Sequence, residues 1–129
     1  ISPNLGVYAT EPEADPVEDW LISCKNFVPF ANNDQLVLPG HKLPFIGLPH
    51  RLRQLIENHH SALSRLVDFL KEPQTAVGCF PALYNRKINE NEYGLALVEA
   101  VAHLNNLYRK KMVTRDMNSD GAYVYRLKK

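Results

Sequence analysis

The chain has 129 residues, 45% of them hydrophobic, and a formal net charge of +1. That length holds one ordinary domain or two small ones, and no run approaches the roughly 20 apolar residues of a membrane-crossing helix, which excludes that role. The near-neutral total conceals a polarity: residues 1–34 carry six acids against Lys25, whereas residues 106–129 carry seven bases against Asp116 and Asp120.

Ile1 to Tyr8 is branched and aromatic but interrupted by Pro3, which suits an edge strand or the loop after one. Glu11-Pro12-Glu13-Ala14-Asp15-Pro16 then breaks it. Asp15 is a good N-cap with Pro16 at the first helical position. Val17, Trp20, Leu21, Cys24 and Phe27/Val28 recur at three- and four-residue spacing, predicting a helix of about three turns with Glu18 and Asp19 at its electropositive end. Residues 31–34 are a turn cluster, Gln35 to Leu38 reads as a buried strand, and residues 40–49 as an irregular loop carrying His41, Lys42 and Phe45. From Leu48 to Leu70, Leu52, Leu55, Ile56, His59, Leu63, Leu66, Val67 and Leu70 trace one face of a long helix that Glu72-Pro73 ends. Thr75 is the N-cap expected before a short helical segment through Phe80 to Tyr84, and residues 85–91 form a polar break. Leu95, Val98, Val101, Leu104, Leu107 and Tyr108 stripe a second long helix to about Lys111. Val113 to Asp116 and Ala122 to Leu127 read as strands around Asn118-Ser119-Asp120-Gly121, whose Asp-Gly favours a hairpin.

Helix, short helix, helix, hairpin is the order of a winged helix-turn-helix domain, placed at residues 50–129. Residues 1–49 do not fit it; a helix between two strand-like pieces is the natural edge of an α/β unit that continues upstream. The fold class is therefore an α+β fragment. Cys24 and Cys79 lie far apart without CxxC spacing, so neither a zinc knuckle nor a disulfide framework is indicated, and a reducing cytoplasm fits. There is no signal peptide, and an Ile start suggests a chain that begins inside a longer protein.

Pro39-Gly40 forces a tight turn after the expected strand, so the imidazole of His41 projects from its carboxyl end. A metal site needs several convergent donors, so by spacing alone a lone histidine reads first as a surface or packing residue. His59-His60 are adjacent on a helix, point about 100° apart and do not converge on one ion; one faces the core and the other caps the interface. His50 and His103 have no partner at metal spacing. A nucleic-acid alternative rests on the basic end, Arg109, Lys110, Lys111 and Arg115, with Glu99, His103, Asn106 and Lys110 on the solvent stripe of a recognition helix. A third possibility docks the basic end on the acidic amino-terminal stretch or on a second subunit.

Ile1-Ser2-Pro3-Asn4, Glu13-Ala14-Asp15-Pro16, Leu38-Pro39-Gly40-His41, Pro44-Phe45, Gly47-Leu48, Arg51, Leu55, His59-His60, Thr75-Ala76 and Ala100-Val101-Ala102-His103-Leu104 together resemble the carboxyl-terminal part of metallo-β-lactamase-fold hydrolases with a winged-helix extension. The resemblance implies that residues 1–49 are the edge of an αββα sandwich binding one or two metal ions, usually zinc. It implies a hydrolase that activates water for attack on thioesters, lactones, β-lactams or phosphodiesters, with a thioester, lactone or related ester as the expected substrate. The family's last histidine ligand maps onto His41. Lys42 beside it attracts an anionic substrate in this reading, and Ser2 and Asn4 line the site. The His-x-His-x-Asp-His motif and the bridging acid are absent, so the chain needs a missing amino-terminal part to complete the site. A homodimer is the other partner this reading allows.

Overall fold

The computed structural model describes residues 4–129, so the start of the expected amino-terminal stretch, Ser2 included, lies outside the described residues, and residues 4–8 form no strand. Asp15 acts as a cap: its carboxylate accepts from the Glu18 backbone N–H at 3.1 Å and starts α1 (Pro16–Phe27), with Pro16 contributing a preset φ. A 3₁₀ turn, Val28–Phe30, ends it. α2 (Leu48–Phe69) begins with Pro49 in its first turn and buries Leu52, Leu55, His59, Leu63 and Leu66, the predicted stripe. β1 (Gln74–Thr75) and a 3₁₀ turn, Val77–Cys79, lead into α3 (Phe80–Leu83). Thr75 caps that turn through its hydroxyl, which accepts from the Gly78 N–H at 3.1 Å. α4 (Glu90–Arg109) is capped by Asn89, a residue within the expected polar break.

β2 (Val113–Met117) and β3 (Tyr123–Leu127) form the expected hairpin, its turn held by the Asn118 side chain and by Gly121 at φ +78°. β1 pairs antiparallel with β3, giving a three-stranded sheet of order β1–β3–β2. With the helices this makes a mixed α/β fold. Among the described residues no helix is long and apolar enough to cross a membrane.

One core runs from Val7, Val17 and Leu21 through Leu63, Leu66 and Leu70 to Leu104, Leu107, Val113 and Tyr125, so the two ends of the chain share it. Each fully buried Leu there contributes about 1.5–3 kcal/mol relative to exposure. A smaller cluster of Cys24, Leu48 and Leu52 joins α1 to α2.

Two expectations fail here. Residues 35–38 are not a buried strand. They make a single antiparallel bridge, Val37 with Phe45, and leave Leu36 64% and Leu38 74% exposed. A strand needs neighbours on its edges and faces, and among the described residues only the Val37 amide and carbonyl find one. The stripe assigned to solvent on α4 is also wrong: His103 is buried against His59 of α2, and Asn106 against Asp15 and Glu18 at the start of α1.

Candidate functional site

The Val37–Phe45 bridge closes a short loop, with the Val37 N–H donating to the Phe45 carbonyl at 2.8 Å and the return bond at 3.1 Å. His41 sits at its tip, exposed, followed by Lys42, which is exposed and held in the left-handed region at φ +69°. Phe30, Leu43 and Ile46, 73%, 83% and 68% exposed, crowd the same stretch as Leu36 and Leu38. So many large apolar side chains in water on one segment mark a surface built to be covered. Beside it, Trp20, Ser23, Cys24, Phe27 and Leu52 line an apolar groove of about 220 Å³, and the buried Trp20 indole N–H has no acceptor among the described residues.

No group of three or more His, Cys, Asp or Glu among the described residues is placed to hold a metal ion. His41 offers one nitrogen donor of the kind zinc takes, and a zinc site needs three or four. The described residues therefore do not fit a complete zinc centre. Of the other residues expected at the site, Asn4 is exposed and lines a separate cavity with Tyr84 and Glu99, away from the sequence around His41.

The basic end is largely engaged within the molecule. Arg115 donates to both carboxylate oxygens of Glu13, at 2.7 and 2.8 Å, and its guanidinium lies 4.2 Å from the Tyr108 ring centre and 4.3 Å from that of Tyr123. Lys110 pairs with Glu18 at 3.0 Å and, as the first cause, holds that carboxyl below its ordinary value. Arg109 donates to the Glu13 carbonyl at 3.2 Å. Of the four bases named for nucleic-acid contact, only Lys111 lacks such a partner among the described residues. The opposed charges at the two ends are thus an intramolecular clasp, one of the alternatives open in the sequence. The Asn105 side chain extends it, donating to the carbonyls of Pro12 and Ala14 at 2.9 Å each, as does the Asn106 amide, 3.1 Å from each Asp15 carboxylate oxygen.

Sequence spacing missed one polar pair. His59 on α2 and His103 on α4 meet at 3.1 Å between Nδ1 and Nε2 in the interior. His103 Nδ1 lies 2.8 Å from the Glu99 carbonyl, which can only accept, so it is the donor there. Its Nε2 then accepts from His59 Nδ1–H, and both rings are neutral. Forty-four residues separate them, so no local pattern signals the pair.

Residues 63–128 match the family model described as "Metallo-beta-lactamase-like, C-terminal domain". The chain is similar to a beta-lactamase domain protein from Burkholderia ambifaria, with 34% identity and a TM-score of 0.90 over 99% of this chain. It is also similar to a metallo-beta-lactamase family protein from Thermus thermophilus, with 26% identity and a TM-score of 0.79, again over 99% of this chain. The chain spans 38% of the length of each of these structures. No curated protein sequence matches it.

Proposed function

Since this chain belongs to the metallo-β-lactamase-like family, we propose that it is the carboxyl-terminal part of a zinc-dependent hydrolase acting on a thioester, lactone or related ester. The observation that carries this reading is the alignment of 99% of the chain with 38% of a 34%-identical protein, which leaves room for a much larger partner segment. In this reading His41 supplies one metal ligand and the rest of the same protein supplies the others, with one or two ions bound. When bound, zinc makes hydroxide from water near neutral pH. The fragment by itself is inactive.

The exposed Leu36, Leu38, Leu43 and Ile46 around His41 support docking of that missing amino-terminal part on this face. A second copy is the other occupant. Lys42, with Ser2 and Asn4, contributes to substrate contact in the assembled site. Residues 1–49 are read as the edge of an αββα sandwich and residues 50–129 as a winged-helix domain. The sheet order β1–β3–β2 behind three helices supports the latter, although α1 shares its core. Buried, unpaired Cys24 and Cys79 support a cytoplasmic setting.

The test is zinc content and ester hydrolysis of the whole protein with His41→Ala. The expected result is a loss of at least one bound ion per two present and a fall in rate of about a hundred-fold or more. Unchanged zinc stoichiometry overturns the ligand role. The alternative, a nucleic-acid-binding module or part of an RNA-processing nuclease, retains Lys111 as its one unengaged base of the four. Salt-dependent retention of single- or double-stranded nucleic acid by this chain would favour it.

A further inference from the structure

Segment 4–8, the loop after α3 and the amino-terminal half of α4 enclose a cavity of about 400 Å³. Its polar lining is Asn4, Tyr8, Tyr84, Arg86, Glu92 and Glu99, and Leu5, Ile88, Leu95 and Val98 form apolar wall. The charges do not balance. Arg86 is ion-paired to Glu92, which leaves Glu99 as the lining charge with no ion-pair partner among the described residues.

Tyr84 does not resolve this. Its hydroxyl has a single proton and two acceptors within reach, the Ala96 carbonyl at 3.0 Å and Glu99 Oε2 at 3.3 Å. The closer carbonyl takes the larger share of that proton, so among the described residues the Glu99 carboxylate has only a long, shared hydrogen bond and keeps open lone pairs. His103 touches this residue through the Glu99 backbone carbonyl alone. We propose that the cavity binds a primary alkylammonium group. Its N–H donors go to Glu99, its chain lies against Leu5, Ile88, Leu95 and Val98, and the Tyr8 and Tyr84 rings border the charge.

A cation is the complementary ligand because, among the described residues, the lining carries one unmatched negative charge, next to Tyr84 and in a cavity that Tyr8 also lines. An N–H-bearing cation is favoured over a quaternary one because the open valence at Glu99 is an acceptor. Burial raises the Glu99 carboxyl above its ordinary value, against a hydrogen bond from Tyr84 that lowers it, and a bound ammonium brings it down again. Binding therefore weakens as pH falls through the Glu99 titration.

The experiment is an NMR titration of this chain with n-pentylammonium chloride, n-pentanol serving as the neutral comparison. Saturating shifts at Glu99 and Tyr84 are expected in the millimolar range appropriate to so small a ligand. The Glu99 carboxyl should titrate at lower pH with the amine present. Pentanol, and the amine with Glu99→Gln, should each bind about ten-fold more weakly or worse. Equal binding by pentanol, an unaffected E99Q variant, or shifts mapping elsewhere would overturn the site. Where E99Q does not fold, the alcohol comparison and the Glu99 titration in the unmodified chain decide. The hydrolase reading stands or falls separately, because neither probe involves His41 or zinc.

Discussion

Acid should weaken this fold through the His59–His103 pair, and the geometry sets the size of the effect. His59 Nδ1–H is donated to His103, so its Nε2 is the bare nitrogen, buried and without a partner among the described residues. A second proton there places a charge in an enclosure with no acceptor. Burial, with smaller contributions from His103 and His60, pulls the His59 pKa from 6.5 down to about 4. Burial lowers His103 as well. Between those two values the unfolded chain holds a proton on His59 that the folded chain lacks, so stability falls as pH falls. The contribution is complete above pH 6.5 and lost as pH falls to about 4. The interval is worth at most about 3 kcal/mol. With an ordinary urea dependence, the midpoint should drop by about 1–3 M between neutral pH and about pH 4.

Carboxylates titrate in the same window. The depressed Glu18 adds to the acid loss, whereas the raised Glu99 opposes it by favouring the folded state as it protonates. A His59→Leu/His103→Leu double variant separates these terms. It removes both partners together and should lie within about 1 kcal/mol of the parent at neutral pH, with a shallower loss in acid. His103→Leu alone strands the His59 donor and should cost about 1–3 kcal/mol more than the pair. If the parent and the double variant lose the same urea midpoint on acidification, the protons are going elsewhere and the neutral-pair reasoning is refuted.

The clasp between chain ends predicts two different couplings. A Glu13→Ala/Arg115→Ala cycle should give about 1 kcal/mol or more, because the Arg115 side chain is only 10% exposed and meets both carboxylate oxygens. The Glu18–Lys110 pair, 39% and 42% exposed, should couple by less than about 1 kcal/mol and vanish in molar salt; similar values for both would remove the distinction. Leu38→Ser should change the stability of this chain by less than about 0.5 kcal/mol, whereas Leu66→Ala should cost about 2–5 kcal/mol. Comparable losses in denaturant melts would mean that residues 35–38 are packed after all.

Local chemistry was the legible part of this fold. Asp15-Pro16, the α2 stripe and Asp120-Gly121 each carry their instruction within a few residues, and each element formed where they place it. The family was legible too, through ordered short matches along the chain. What spacing does not carry is which second surface covers a helix. Leu104 and Leu107 mark one buried face of α4, but Asn105 and Asn106 are buried as well, because acids and carbonyls some 90 residues earlier accept their amides. A polar residue with distant partners looks the same in sequence as one in water. The opposite mismatch falls at Leu36 and Leu38, whose apolar character signals burial although both side chains are exposed in the fold.

The Asn105 and Asn106 contacts have a consequence for how the molecule would come apart. Residues 4–30 are held to the rest by Val7, Val17 and Leu21 in the core, by the two amides, and by Glu13 and Glu18 on Arg115 and Lys110. The covalent link between that piece and α2 is the exposed stretch 31–47. A protease cutting there would sever the backbone without separating the pieces, and a native gel would show one species where a denaturing gel shows two.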